Sequence, residues 1–157
     1  MYASTVFDLT GTYNGGAGTL FGNVTIDTIA GTVVSADVSA SGTLTYSHFT
    51  FDAAKSSQIL GTLYSLVANN SGVLTPNINI RIPVATLVGY AGGNLCAAGA
   101  FCSGSSSNVN YGPGAPGAYN FSNGSALTAQ SAATPEPTSV VLVGSAMLAL
   151  LGLRRRF

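Results

Sequence analysis

Apolar and hydroxyl-bearing residues alternate with a two-residue period along much of this chain, and glycine-containing turns interrupt the alternation. Between residues 19 and 27, Leu20, Val24 and Ile26 fall on one side of an extended chain, and polar residues such as Asn23 fall on the other. Successive side chains of a β-strand point to opposite faces, so this period predicts half-buried strands. The body of the chain is therefore expected to be mainly β.

The alternation recurs in short segments separated by turn residues. The predicted strands are residues 5–12, 19–27, 34–41, 43–51, 59–67, 77–88 and 118–122. Regular short strands without an amphipathic helix among them predict an antiparallel β-sandwich, with a jelly roll or a barrel as the alternatives.

Two segments indicate which side chains are expected to line the core. Residues 19–27 and 34–41 are expected to form a hairpin around a turn at 28–31. On the second strand of this hairpin, the residues expected on one face are Val34, Ala36, Val38 and Ala40. In the strand at 77–88, the residues expected to point inward are Ile78, Ile80, Ile82 and Val84, with Arg81 outward.

Between residues 92 and 117 the alternation stops, and small and turn-forming residues predict a long loop. Both cysteines, Cys96 and Cys102, lie in this loop. Their spacing permits a disulfide ring worth about 2–2.5 kcal/mol, and an exported chain meets oxidising conditions. The alternatives are two free thiols, or half of a zinc site that lacks partners because the only histidine, His48, is distant. A disulfide between the two cysteines is the prediction.

Charged residues are scarce and unevenly distributed, at 6% of the chain. Residues 1–134 carry four Asp against one Lys and one Arg, whereas residues 135–157 carry one Glu against three Arg. Nucleic-acid binding is excluded, because only Lys55 and Arg81 of the body are available to neutralise phosphates. The hydroxyl-rich, nearly uncharged composition favours a secreted or matrix-embedded protein.

The last 24 residues have three parts. Pro135, Glu136 and Pro137 come first, an uncharged apolar run follows, and the basic residues Arg154, Arg155 and Arg156 come last. The run is expected to form a single transmembrane helix, with apolar residues that include Val140, Val141, Leu142, Val143, Leu148, Leu150, Leu151 and Leu153. As a helix it is about 21–24 Å long, which is short against a hydrocarbon core of about 30 Å. The arginines predict a cytoplasmic C-terminal end and a body that faces outward.

This order of a Pro-Glu-Pro tripeptide, a short apolar stretch and an arginine cluster resembles the PEP-CTERM protein-sorting domain. The resemblance covers residues 134–157 only. It implies a substrate of exosortase, a membrane-embedded cysteine protease or transpeptidase of Gram-negative bacteria that make extracellular polysaccharide. It also implies that the tripeptide is recognised, that the body stays transiently at the inner membrane, and that it is then released or transferred to the cell surface or matrix.

The tripeptide has a conformational property that suits a protease substrate. Pro135 and Pro137 hold their own φ near −65° and favour extended conformations for Thr134 and Glu136, so the segment presents an open backbone. The expected organisation is a β-sandwich domain at 1–121, a flexible linker at 122–134 and a sorting segment at 135–157. A buried helix and a permanent membrane anchor are the alternatives for the apolar run.

The first twelve residues lack the basic and apolar regions of a secretory signal peptide. We expect a translation start further upstream, with a truncated coding region or export through the C-terminal helix as alternatives.

The predicted function is non-enzymatic, with no cofactor and no metal. His48 and Asp52 would lie about 13 Å apart on a strand, too far apart for a catalytic base and its orienting acid. A secreted hydrolase or a carbohydrate-binding module with the same tail is the alternative. Extracellular polysaccharide is a candidate partner, since tyrosines and amides bind sugars, but core and rim positions are the favoured interpretation of Tyr2, Tyr13, Tyr46, Tyr64, Tyr90, Tyr111 and Tyr119.

Overall fold

The computed structural model describes residues 4–59, 63–70, 76–96, 107–110 and 118–131. These residues form eleven β-strands and one short 3-10 turn at Asn14–Gly16. The strands are β1 Ser4–Tyr13, β2 Gly18–Asp27, β3 Thr32–Ser41, β4 Tyr46–Phe51, β5 Ser57–Ile59, β6 Leu63–Asn69, β7 Asn77–Ile82, β8 Gly92–Asn94, β9 Asn108–Asn110, β10 Ala118–Asn120 and β11 Ala126–Ala129.

All of these strands pair antiparallel within one sheet. Their spatial order is β10-β9-β7-β6-β4-β3-β2-β1-β11-β8, with β5 paired beside this path to β6. The three long strands β1, β2 and β3 form a meander in sequence order, because each is followed by a short turn. The later strands are shorter and build the sheet outward from both sides of this meander.

The sheet curls into a half-barrel, and the order of its strands requires the curl. β10 lies at one end of the sheet and β11 lies near the other, yet only residues 121–125 separate them in sequence. Phe121 forms a β-bridge with Tyr13 at the end of β1, and the Ser122 amide donates to the Thr12 carbonyl at 2.7 Å. The far end of the sheet therefore returns to β1. We call residues 121–125 the closure segment.

The core is a single cluster on the inner face of the curled sheet. Its largest fully buried side chains are Phe7, Leu9, Tyr13, Val24, Ile26, Val38, Leu66, Ile78, Ile80, Ile82, Leu87 and Leu127. The expected inward positions of β7 are confirmed, because Ile78, Ile80 and Ile82 are buried and Val84 packs against the cluster. On β2 the expected inward residues Leu20, Val24 and Ile26 are likewise buried.

Tyr13 links the core to the turn before β4 through hydrogen bonds of its hydroxyl group. Its hydroxyl donates to the Leu44 carbonyl at 2.8 Å and accepts the Leu44 amide at 2.9 Å. Its ring lies over Gly18, directly across β1 and β2, where a Cβ atom would overlap the ring. Glycine at position 18 is thus required by the close approach of an aromatic side chain.

The expectation for Val34 is wrong, and a β-bulge is the reason. The pairing of β2 with β3 passes from Thr25↔Ser35 to Ile26↔Val33, so Val34 has no partner of its own. An unpaired extra residue reverses the alternation beyond it. Val33 is consequently buried, whereas Val34 is 55% exposed.

The prediction of a mainly β, antiparallel fold is confirmed, but the arrangement differs from a sandwich of two sheets. The described strands form one continuous curled sheet. β8 and β9 lie within the stretch expected to be a long loop, and β11 lies within the expected linker. β11 belongs to the body because it pairs with β1, and Leu127 is buried in the core. Among the described residues, no helix has the length and apolar character needed to cross a bilayer. The predicted helix at 140–153 lies outside these residues.

The closure segment generates a stability prediction at Ser125, whose buried hydroxyl accepts the Thr12 amide at 3.3 Å and donates to the Ser122 carbonyl at 2.8 Å. The variant Ser125→Ala removes the hydroxyl that accepts the Thr12 amide, whereas the Ser122 carbonyl still accepts the Ser125 backbone amide at 3.2 Å. Because a buried donor loses its acceptor, we expect the variant to lower the free energy of unfolding by about 1–3 kcal/mol. Urea denaturation followed by circular dichroism measures the change.

The matched control is Ser122→Ala, which removes a buried hydroxyl oxygen that has no hydrogen-bond partner in the described part of the chain. Its free energy of unfolding should stay within about 0.5 kcal/mol of the parent value. Equal destabilisation by the two variants would contradict the assigned role of Ser125.

Candidate functional site

Most of the predicted site residues lie outside the described part of the chain. These are the tripeptide Pro135, Glu136 and Pro137, the apolar run, the arginines and Cys102. Cys96 is described: it follows β8, is buried, and is disulfide-bonded. The pairing with Cys102 stays a prediction.

Cys96 lies against the closure segment. Its sulfur is 3.2 Å from the Ser122 carbonyl oxygen, and its amide donates to Asn94 Oδ1 at 2.8 Å. The preceding Leu95 amide donates to the Ser125 carbonyl at 2.9 Å. The bonded cysteine therefore sits where the two ends of the sheet meet, which indicates a structural role.

His48 and Asp52 have separate partners. His48 is exposed on β4, and its Nδ1 lies 3.1 Å from both carboxylate oxygens of Asp37. Its φ is +57° at a point where the pairing of β3 with β4 shifts register, and its amide donates to the Ser39 hydroxyl at 3.0 Å. An exposed pair of this kind contributes little to stability, but it gives the Asp37 carboxylate a hydrogen-bonding neighbour.

Asp52 organises the turn that joins β4 to β5. Its Oδ2 accepts Lys55 Nζ at 2.8 Å and Asn69 Nδ2 at 2.7 Å. These hydrogen bonds, that of Lys55 above all, lower the pKa of the Asp52 carboxyl from its ordinary value. Ser56 reinforces the turn, because its hydroxyl donates to the Asp52 carbonyl and accepts the Val67 amide of β6. Asp52 is thus a turn-stabilising residue.

The described tyrosines occupy the core and its rim, as expected. Tyr13 is buried, and Tyr46, Tyr64, Tyr90 and Tyr119 pack against the core cluster. Burial raises the pKa of Tyr90 to about 12 and raises that of Tyr64. Four of the five described tyrosine rings are thus only partly buried, at the rim of the core.

A row of polar side chains crosses the outer face of the sheet. The register places Asp8 of β1 opposite Asn23 of β2, and Asn23 opposite Asp37 of β3. All three point away from the core, because their sequence neighbours Phe7, Val24 and Val38 are buried. Directly paired side chains on adjacent strands are about 5 Å apart, so the two carboxylates flank the amide at about 10 Å from each other.

Both carboxylates of this row are held by a neighbouring side chain. Gln130 Nε2 donates to Asp8 Oδ1 at 2.7 Å, and His48 contacts Asp37 as described above. The backbone of Gln130 is also fixed, since its backbone N–H donates to the Val6 carbonyl at 2.8 Å. The central Asn23 side chain is exposed to solvent.

Phe21 lies next to this row on the same face of β2. It is two residues from Asn23, about 7 Å along the strand, and the residue is 50% exposed. Thr10 and Ser39 pair with it on the neighbouring strands. We call Asp8, Phe21, Asn23 and Asp37 together the outer patch.

Sequence reasoning did not single out the outer patch. The alternation on β2 indicates that Asn23 lies on the polar face, but it does not indicate which residues lie beside it. The juxtaposition of Asp8, Asn23 and Asp37 depends on the pairing of three strands. In the described ranges, no three residues among His, Cys, Asp and Glu come together to hold a metal ion.

Comparisons of the chain with protein-family models, with curated proteins and with solved structures find no match. The functional assignment therefore rests on the residues themselves.

The Asp52 turn predicts a specific acid sensitivity. The pKa of Asp52 is lower in the folded chain than in the unfolded chain, so its carboxylate stabilises the fold at pH values above the ordinary carboxyl pKa. This stabilisation is lost as the pH falls from the ordinary pKa through the lowered pKa of the folded chain. We expect the thermal midpoint to fall between about pH 5 and pH 3, and to fall less in Asp52→Asn. Differential scanning calorimetry across this range measures the effect.

Lys55→Gln is the companion variant, because it removes the largest cause of the lowered pKa but keeps the carboxyl group. Its acid dependence should lie between those of the parent chain and Asp52→Asn. An acid dependence in Asp52→Asn as steep as that of the parent would contradict the assignment.

Proposed function

We propose that this chain is an exported, non-enzymatic protein of the cell surface or extracellular matrix, sorted through its C-terminal tail by exosortase. The observation that carries the proposal is the order of the three parts of residues 134–157: the tripeptide, the apolar run and the arginine cluster. On this proposal, the peptide-bond chemistry is performed on this protein by its partner.

The end of the folded body supports a tail that acts independently. β11 ends at Ala129, and Gln130 is bonded to both Val6 and Asp8. The last strand of the described sheet therefore ends six residues before Pro135. Every described core residue lies between Phe7 and Leu127, upstream of the tail in sequence.

Each part of the tail has a role that its chemistry suits. Pro135, Glu136 and Pro137 offer an extended backbone and one carboxylate to the enzyme. The run at 140–153 provides a short helix that holds the substrate beside a membrane-embedded enzyme, and the arginines at 154–156 retain its end on the cytoplasmic side. The body then faces an oxidising compartment, with which the disulfide-bonded Cys96 is consistent.

Processing can be followed with an epitope-tagged body, preceded by a cleavable secretory signal so that export is not limiting. In a host that carries exosortase, we expect the tagged body to leave the inner membrane. In the same host without exosortase, it should stay membrane-bound at full length. Full-length protein that persists in the inner membrane of both hosts would overturn the proposal in favour of a permanent anchor.

The tripeptide is tested by changing Pro135, Glu136 and Pro137 together to Ala. We expect release to stop, because the alanines remove both the fixed extended backbone and the carboxylate, while the body remains exported. Immunoblots of membrane and medium fractions measure release. The matched control changes Thr138 and Ser139 to Ala, which should leave release unchanged. Undiminished release of the triple variant would contradict the motif assignment.

A further inference from the structure

We propose that the outer patch binds a neutral polysaccharide chain, which lies across β1, β2 and β3 with one sugar ring stacked on Phe21. This inference goes beyond the sorting proposal, because it rests on the folded body alone.

The exposed ring of Phe21 is the apolar half of the site. Phe21 is 50% exposed, so its ring is available for the C–H face of a sugar ring. The neighbouring positions on β1 and β3 are Thr10 and Ser39, which leave the ring without bulky cover. Single exposed apolar residues are common on protein surfaces. Here the ring stands beside an ordered row of hydrogen-bonding groups.

Asp8, Asn23 and Asp37 are the polar half of the site. The carboxylates accept hydrogen bonds from sugar hydroxyls, and such charge-assisted bonds are about twice as strong as neutral ones. The amide of Asn23 both donates and accepts, so it can bond a hydroxyl in either orientation. These three groups recur at the strand spacing of about 5 Å, which presents an array to a polymer that runs across the strands.

Each carboxylate of the outer patch has a side-chain neighbour within hydrogen-bond distance before any ligand binds. Gln130 holds Asp8 at 2.7 Å, and His48 holds Asp37 at 3.1 Å. Groups that are already oriented lose less conformational entropy on binding. The backbone of His48 has a φ of +57°, and with this backbone conformation its ring lies beside the Asp37 carboxylate.

The charge of this face favours a neutral ligand. The outer patch carries the carboxylates of Asp8 and Asp37 and no Lys or Arg, so it disfavours a polyanion such as nucleic acid or an acidic polysaccharide. The patch lies on the outer face of the sheet and not in a concavity, whereas sites for small molecules are concave. An extended polymer with hydroxyl groups and no negative charge meets both conditions.

The test uses the full chain in a mild detergent, without exosortase, on an immobilised array of neutral and acidic glycans. We expect binding to neutral glycans that Phe21→Ala and Asn23→Ala each reduce by at least about tenfold, a loss of about 1.4 kcal/mol. Phe21→Tyr should retain binding because it keeps the aromatic face. Because the assay involves no sorting step, its outcome is independent of whether the tail is processed.

The matched controls are Ile29→Ala and Asn120→Ala, which remove an exposed apolar and an exposed amide side chain outside the outer patch. Both should bind as the parent does. Circular dichroism checks that every variant keeps its β-sheet spectrum. The inference is overturned if no neutral glycan binds, if acidic glycans bind better, or if the patch and control variants bind equally.

Discussion

The structure depends on the closure of the sheet at β1. β10 and β11 are neighbours in sequence but lie near opposite ends of the sheet, and only residues 121–125 connect them. This connection is possible because the sheet curls until Phe121 bridges Tyr13. The Tyr13 and Tyr119 rings then lie 6.2 Å apart across the seam. The bonded Cys96 and the buried hydroxyl of Ser125 contact the same few residues, so several long-range contacts meet at the seam.

Closure also decides where binding groups can lie. The inner face is filled by a single apolar cluster, and the described tyrosines belong to it or to its rim. Polar side chains are therefore concentrated on the outer face, where strand pairing sets them in rows. The row of Asp8, Asn23 and Asp37 is flanked by Gln130, which follows the last strand, and by His48, which lies at a register shift of β4. The row and its two flanking residues therefore come from the four strands β1 to β4 and from Gln130, the residue that follows β11.

Much of the fold was predictable from local alternation. The strands near residues 5–12 and 19–27 and the inward side chains of β7 follow directly from a two-residue period, although the strand expected at 77–88 ends at Ile82. The errors have specific causes. Val34 is exposed because one extra residue in β3 reverses the period. β8, β9 and β11 were missed because strands of three or four residues set among small and turn-forming residues show little alternation, whereas the equally short β10 lies within the strand expected at 118–122. β11 looked like a linker, since its residues Ala126, Thr128 and Ala129 gain their role only by pairing with β1.

The sequence by itself determined the β class, the buried faces of the longer strands, the scarcity of charge and the three-part tail, because each is a property of consecutive residues. The tertiary structure alone decided that the strands form one curled sheet and that Asp8, Phe21, Asn23 and Asp37 share one outer surface. Those residues are up to 29 positions apart in sequence. Cross-strand register brings them together, and register depends on turns, bulges and closure, which a local pattern does not encode.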